Sequence, residues 1–254
     1  MRALLSLKEV NQYHLDDPQR TLLHRDIILS KRFLKKLYLE WYGVFTRAAK
    51  DLPNGEIVEL GSGGGFLKEV LPQVITSDIL PLPNCDRCFS ALNMPFANET
   101  LGGIFMIDVF HHIPDSKQFL LEAQRVLKPG GKIIMIEPAN SIWGRFIYQN
   151  FHHEPFDPTA GWFIPESGPM SGANGALPWI VFERDQVTFK KEFESLTITS
   201  IRYHTPLRYL LSGGVSRKAL VPAWAFGFFK GIEERINPLT KQFSMFQTIE
   251  VTKA

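Results

Sequence analysis

The chain has 254 residues, 44% of them hydrophobic and 21% charged, with a formal net charge of +2. That length and apolar share support one globular domain with a substantial core. The near-neutral balance excludes the strong basic field that nucleic acid would need.

Residues 21–50 carry apolar side chains three and four apart, with no Gly or Pro before Gly43, and predict one or two helices. The basic side chains of "KRFLKK" (31–36) read as the wet face, with Phe33, Leu34 and Leu37 turned inward. "DLPNG" (51–55) is a break, "EIVEL" (56–60) a buried strand, and "GSGGG" turns the chain into a helix over about 66–71. "QVITSDI" (73–79) and "DRCFSAL" (86–92) predict the second and third strands. The link between them is too short for a crossover helix, so that helix is missing.

"LGGIFMIDVF" (101–110) predicts the fourth strand, "SKQFLLEAQRVL" (116–127) an amphipathic helix, and "KIIMIEP" (132–138) the fifth strand. This alternation argues for a parallel sheet with helices on both faces. Residues 139–182 lose clear periodicity and read as a substrate cap. A helix near 183–193, a strand at 196–204, a second apolar piece at 205–240 and a closing strand at 243–252 follow. The organisation is one domain: an N-terminal helical cap (1–50), a cofactor-binding half (51–138), the cap insertion (139–182), and the rest of the core (183–254).

Two cysteines, Cys85 and Cys88, make no disulfide framework, which fits a reducing, cytoplasmic setting. Their spacing on a strand points them to opposite faces, and no second pair completes a zinc site. "MRALLSLKEV" is too short an apolar run for a signal peptide. "LVPAWAFGFF" (220–229) is about half the length of a membrane-spanning helix, which leaves contact with a membrane surface open.

The glycine loop fits three templates unequally. A dinucleotide fingerprint is met at Gly61 and Gly63, but Phe66 stands where its third glycine belongs. No Gly-Lys-Ser/Thr triplet follows for a triphosphate cradle. The pattern E-x-G-x-G-x-G is met by Glu59, Gly61, Gly63 and Gly65. A carboxylate beside the loop suits a cationic cofactor better than a pyrophosphate, which it would repel. Asp78, ending the second strand, is placed to accept from ribose hydroxyls.

The motif at 59–65 resembles the first motif of class I methyltransferases. The run "ALNMPFANETLGGIFMIDVFHHIPDSKQFLLEAQRVLKPGGKIIMIEP" (91–138) resembles the matching stretch of the ubiquinone/menaquinone-type small-molecule methyltransferases. The resemblance covers about residues 55–138. It implies S-adenosylmethionine as cofactor and an α/β, Rossmann-like, seven-stranded, mostly parallel sheet with an antiparallel last strand. It also implies site residues. Glu59, Leu60, Gly61, Ser62 and Gly63 would line the methionine side. Asp78 and Ile79 would meet ribose and adenine, Asn93 and Met94 the adenine edge, and Ile107 and Asp108 the methionyl portion. Gly130 and Gly131 would end a helix and start a strand. Two departures stand out: Gly102 replaces the usual Asp opening the fourth strand, and the helix between strands two and three is missing.

Methyl transfer to a hydroxyl generally needs a base, most often His. His111 and His153 are the candidates. His111 and His112 follow the fourth strand, where a hydrogen-bonded structural role is favoured over catalysis, and "NFHHEPFD" (150–157) gathers His152, His153, Glu154 and Asp157. General base, metal ligands and a polar network holding the cap all remain open for that run; a network is favoured and no metal is expected. Aromatic residues in the cap segments, from Trp143 to Phe163 and from Trp224 to Phe229, point to an apolar or aromatic acceptor, lipid or quinone included. The atom methylated and the oligomeric state are not given by the sequence. A non-catalytic cofactor-binding module is the alternative; a nicotinamide oxidoreductase is disfavoured by Phe66 and by the lack of a Tyr-x-x-x-Lys pair.

Overall fold

A computed structural model of the chain describes residues 7–165, 168–236 and 239–254. Small parts of the expected N-terminal cap (1–6), cap insertion (166–167) and second apolar piece (237–238) lie outside the described residues. Seven strands form one sheet in the order β3-β2-β1-β4-β5-β7-β6. They are β1 (Glu56–Leu60), β2 (Val74–Asp78), β3 (Arg87–Cys88), β4 (Leu101–Ile107), β5 (Leu127–Pro138), β6 (Leu196–His204) and β7 (Phe246–Lys253). β1 to β5 pair in parallel, while β7 runs antiparallel to both β5 and β6. The expected α/β, Rossmann-like class with an antiparallel last strand is what the chain adopts.

Period-two alternation sorts the strand side chains into two cores. Val58, Leu60, Ile104, Met106, Ile133 and Met135 face one side, under Phe119, Leu120 and Ala123 of the helix between β4 and β5. Ile57, Phe105, Ile134 and Ile136 face the other. Two helices on that second side come from before β1. They are α1 (Pro18–Ser30) and α2 (Arg32–Ala48), an amphipathic helix that buries Phe33, Leu34, Leu37, Trp41 and Phe45. Phe45 stacks on Phe105 with ring centroids 4.7 Å apart. The segment expected as a cap is thus also the cover of one sheet face.

The stretch after the glycine loop forms only two short 3-10 turns, Ser62–Gly64 and Leu67–Glu69, not a helix over 66–71. Six residues before Pro72 make too little helix to cover a sheet, and the Phe66 amide is taken by the Tyr42 hydroxyl at 2.9 Å. The third strand is also shorter than 86–92: only Arg87 and Cys88 pair with β2, and residues 89–92 turn along a cavity instead. At the other end of the core, α3 (Ser116–Val126) stops one residue before Leu127, and β5 begins there rather than at 132. Gly130 and Gly131 lie within a bulged start of that strand, Gly130 at φ +77°, where a left-handed bend favours glycine.

The irregular regions hold helices that the sequence does not predict. α4 (Ile142–Phe151) is capped by Ser141, whose Oγ accepts from the Gly144 amide at 2.8 Å. A Cβ at Gly144 would meet the Ser244 carbonyl at 2.8 Å, so this glycine permits helix packing where the sequence suggests a break. The expected helix at 183–193 is split into a π-turn, Ile180–Arg184, and α5 (Gln186–Glu192). In the second apolar piece, α6 (Arg208–Ser212) and α7 (Phe226–Arg235) are tied to α2 by buried charge. Arg208 meets Glu233 at 2.5 Å and Glu40 at 2.7 Å. Among the described residues, no helix is long and apolar enough to cross a membrane.

Candidate functional site

A cavity of about 1030 Å³ opens at the C-terminal ends of β1, β2 and β4, the place where open α/β sheets bind ligands. Its inner end is built by the glycine loop. Gly61 holds φ +65° with its α-carbon against Val109, a conformation that a side chain would strain. The other glycines serve packing. A Cβ at Gly63 would strike Leu82 and Thr21, and one at Gly65 would lie 2.6 Å from the Tyr42 hydroxyl. α1 therefore lies directly on the loop. Arg25 adds a bond to the Gly65 carbonyl and an ion pair to Glu69 at 3.0 Å.

Glu59 ends the inner wall. It is 3% exposed, and its Oε2 is buried without a hydrogen-bond partner. Burial pushes its carboxyl up to about 7, against the pull of Ser62 and Arg25. An unpartnered buried carboxylate carries a desolvation cost that a cationic ligand would relieve. Asp78 sits beside it, accepting from the Gly63 amide at 3.1 Å and the Leu80 amide at 2.9 Å. Burial raises its pKa, and these backbone donors lower it. A carboxylate offers about four acceptor sites, so two amides leave room for hydroxyl donors.

Of the predicted site residues, Glu59, Leu60, Gly61, Asp78, Ile79, Ile107, Asp108, His111 and His153 all border this cavity. Ser62 and Gly63 stand behind its wall. Ser62 Oγ donates to the Glu59 carbonyl at 3.1 Å and accepts from the Ser77 amide at 3.2 Å, locking β1 to β2. Asn93 and Met94 do not border it: Asn93 is exposed and Met94 is 2% exposed within the core. Phe89, Ser90, Ala91 and Leu92 form that wall instead. With β3 reduced to two residues, the chain reaches the cavity earlier than the resemblance implies.

The turn after β4 is strained and closely held. Asp108 adopts φ +60°, unusual for a residue with a side chain. Glu137, fully buried at the end of β5, accepts from the Val109 and Phe110 amides at 2.9 and 2.7 Å. Its other oxygen meets His111 Nδ1 at 2.7 Å. The sequence reading missed Glu137, although it is the acid of the "EP" step that ends the fifth strand. Burial pushes Asp108 up to about 7; His111 pulls it down while Glu137 and Glu154 add to the rise.

The candidate bases His111 and His153 sit in a hydrogen-bonded and ion-paired group around Glu154. His111 is 1% exposed, and its Nε2 lies 3.3 Å from Glu154 Oε2. Burial disfavours its charged form, but Glu137 and Glu154 outweigh that and hold it well above the usual imidazole range. An imidazolium between two carboxylates has no lone pair free to take a proton. His112 donates Nδ1–H to the Gly172 carbonyl at 2.9 Å. Burial and the neighbouring His111 push it down to about 4, against Glu154. His153 is half-exposed, its Nε2 3.6 Å from Glu154 Oε1. The expected cluster forms without Asp157, which turns away to accept from Thr159.

Ile113, Ile147, Ile164, Met170, Leu210 and Val215 give the outer half of the cavity much of its wall, with Arg217 and Lys218 also bordering it. Most aromatics of the cap segments are elsewhere. Tyr148 stacks on Phe156 at 5.2 Å, Trp162 on Phe193 at 6.3 Å, and Phe226 packs edge-on to Phe33. Trp224 and Phe228 face outward, 82% and 67% exposed. These flat rings serve the sheet and each other, and Phe151 alone among them borders the cavity. Asp16 ties the lip, accepting from the Met170 and Ser171 amides at 2.8 and 2.9 Å.

Residues 58–135 match the family described as a methyltransferase domain. Over 176 residues the chain is 27% identical to a demethylmenaquinone methyltransferase of Symbiobacterium thermophilum, covering 66% of this chain and 67% of the relative. Geranyl diphosphate C-methyltransferase from Streptomyces coelicolor A3(2) aligns over 90% of this chain and 82% of its own, at 13% identity and a TM-score of 0.49. A methyltransferase structure from Archaeoglobus fulgidus aligns over 85% and 94%, also at 13% identity and 0.49. Likeness at that level says nothing of the site.

Proposed function

The chain is a methyltransferase that draws on S-adenosylmethionine, and from that premise we propose that it methylates a small apolar acceptor seated in the aliphatic outer half of the cavity. The observation that carries this is the division of one cavity. Its inner end holds Glu59, with Oε2 buried and unpartnered, and the acid Asp78, while Ile113, Ile147, Ile164, Met170, Leu210 and Val215 give the rest a largely aliphatic wall, bordered also by the His111–Glu154 group and by Arg217 and Lys218. The name of the Symbiobacterium relative supports an acceptor of quinone type.

In this reading Glu59 receives the ammonium of the methionyl end, and Asp78 receives the ribose hydroxyls. Ile79, Phe89 and Leu92 flank the adenine, taking over the part expected of Asn93 and Met94. Leu60, Gly61, Ile107 and Asp108 border the methionyl portion, while Ser62 and Gly63 hold the loop from behind. When bound, S-adenosylmethionine supplies a methyl carbon open to in-line displacement. The protein's own task is alignment and exclusion of water: α1 covers the loop, and the lip held by Asp16 narrows the entrance.

Incubating the protein with radiolabelled S-adenosylmethionine and a panel of demethylated naphthoquinols, fatty acids and polar metabolites tests the acceptor. Label is expected in the apolar fraction; label confined to polar products would overturn the reading. Asp78→Ala tests the donor end. Loss of charge-assisted bonds costs about 1.5–3 kcal/mol, so S-adenosylhomocysteine should bind roughly 10- to 100-fold more weakly by calorimetry. Unchanged affinity would remove Asp78 from the site.

A further inference from the structure

Four histidines converge on one carboxylate. His111 Nε2 and His152 Nδ1 lie 3.3 and 3.5 Å from Glu154 Oε2, and His112 Nε2 and His153 Nε2 lie 3.7 and 3.6 Å from Glu154 Oε1. Within this group, His111, His112 and Glu154 offer ligand atoms that all lie within 4.8 Å of one another. Tetrahedral coordination with bonds of about 2.0–2.1 Å spaces its ligand atoms at roughly 3.3 Å. The two separations that Glu154 makes to the buried pair are therefore already near coordination spacing.

We propose that His111, His112 and Glu154 form a binding site for a divalent transition-metal ion of the zinc class, with the remaining position open to the cavity.

Three independent features support it. The first is ring orientation. His112 Nδ1 donates to the Gly172 carbonyl, which can only accept, so its Nε2 presents a lone pair towards Glu154. His111 is held at Nδ1 by Glu137 at 2.7 Å, leaving Nε2 as the atom that faces Glu154, and a bound ion would take the place of the Nε2 proton, which is released to solvent. Carboxylate or carbonyl support on the far nitrogen is the usual arrangement behind a metal-bound histidine. The second is charge. Asp108, Glu137 and Glu154 surround the pair, and Asp108, His111 and Glu137 themselves lie within the same 4.8 Å spacing. The third is access. His111, His112, Glu154 and the second pair, His152 and His153, all border the main cavity, so an ion has a path in and a vacant coordination position on the ligand side. Two imidazoles and one carboxylate with an open position is a donor set suited to zinc or iron. The open position would take water or an oxygen of the acceptor.

This also revises the expectation that no metal is bound. Along the sequence, the 152–154 run shows only one half of the group. The buried half, His111 and His112, follows a different strand, and only folding brings the two together.

The test uses the whole chain, stripped with a chelator and titrated with Zn²⁺ by calorimetry and with Co²⁺ by visible absorption. One ion per chain is expected, with a Co²⁺ spectrum of low-coordinate intensity. His112→Ala and Glu154→Gln should each weaken binding by at least about tenfold, and Glu137→Gln by about 10- to 100-fold. His14→Ala, whose side chain is 78% exposed, should bind as the parent does. Absence of one-to-one uptake, or equal uptake by the His112 and Glu154 variants, would overturn the proposal. S-adenosylhomocysteine binding, measured in each variant, reports that the fold is intact. It also tests the donor reading separately, since that reading can fail with metal uptake preserved. Should a variant lose the fold, the Co²⁺ spectrum of the parent chain decides: the spectrum of the hydrated ion, unchanged by protein, sinks the site.

Discussion

Glu59→Gln is expected to weaken S-adenosylhomocysteine binding roughly 10- to 100-fold and to flatten its pH dependence. The magnitude is that of a charge-assisted bond, about 1.5–3 kcal/mol. The pH effect follows from the buried, unpartnered Oε2. Burial pushes the Glu59 carboxyl from 4.5 up to about 7, so at mildly acidic pH it is neutral and offers no charge to the ligand's ammonium. Affinity in the parent chain should rise by up to about tenfold per pH unit on approaching pH 7 from below, then level off. Without ligand the sign is opposite. A carboxyl whose folded pKa lies above its unfolded value contributes stability below about 4.5, and that contribution is lost as pH rises through about 7. The ligand-free chain should thus lose some stability over the same range in which ligand binding strengthens. Arg25 and Asp78 face the same carboxyl. Asp108, also raised to about 7, should leave a remnant slope in the variant. Calorimetry between pH 5.5 and 8 reads all of this; a parent affinity flat across that range would take Glu59 out of contact with the ammonium.

Phe45→Ala is expected to destabilise the fold by about 3–5 kcal/mol, the range for truncating a buried aromatic. Phe45 is fully buried and stacks on Phe105 of β4 at an interplanar angle of 6°. The loss falls on the sheet because α2 packs on the face that carries Ile57, Phe105, Ile134 and Ile136. Urea denaturation should show a lower midpoint with an unchanged slope. A cost below about 1 kcal/mol would mean that α2 is dispensable to the core.

Much of the fold was legible because it rests on periodicity. β1, β2, β4, β6, β7 and α3 all lie within or close to the spans their hydrophobic patterns predict. Where the pattern misled, a tertiary partner had replaced a local one. Phe66 to Leu71 has helical spacing, yet α2 already occupies the position that such a helix would take. Ile142 to Phe151 carries a glycine that signals a break, yet that glycine is needed for close packing on Ser244. In the site, residues tied to backbone shape were legible: Glu59, Gly61 and Asp78 each sit at a strand end or turn whose geometry the motif encodes. Asn93 and Met94 were not, because the shortened β3 shifts the chain along the cavity. The histidine group was half legible, since one face of it depends on Glu137 and Gly172 meeting residues far away in sequence.

The placement of β7 between β5 and β6 has a consequence for how the molecule is made. The strand latest in the chain fills an interior position of the sheet, and Phe246 on it packs against Trp41 of α2 at 4.9 Å. Early and late segments therefore complete the same core. Contacts so distant in sequence slow folding. Until residues 246–253 have emerged from the ribosome, β5 and β6 both present unpaired edges, and such edges favour association with other chains. The nascent protein is at its most vulnerable between the synthesis of β6 and the pairing of β7, when the cofactor loop is already built but the sheet behind it is still in two pieces.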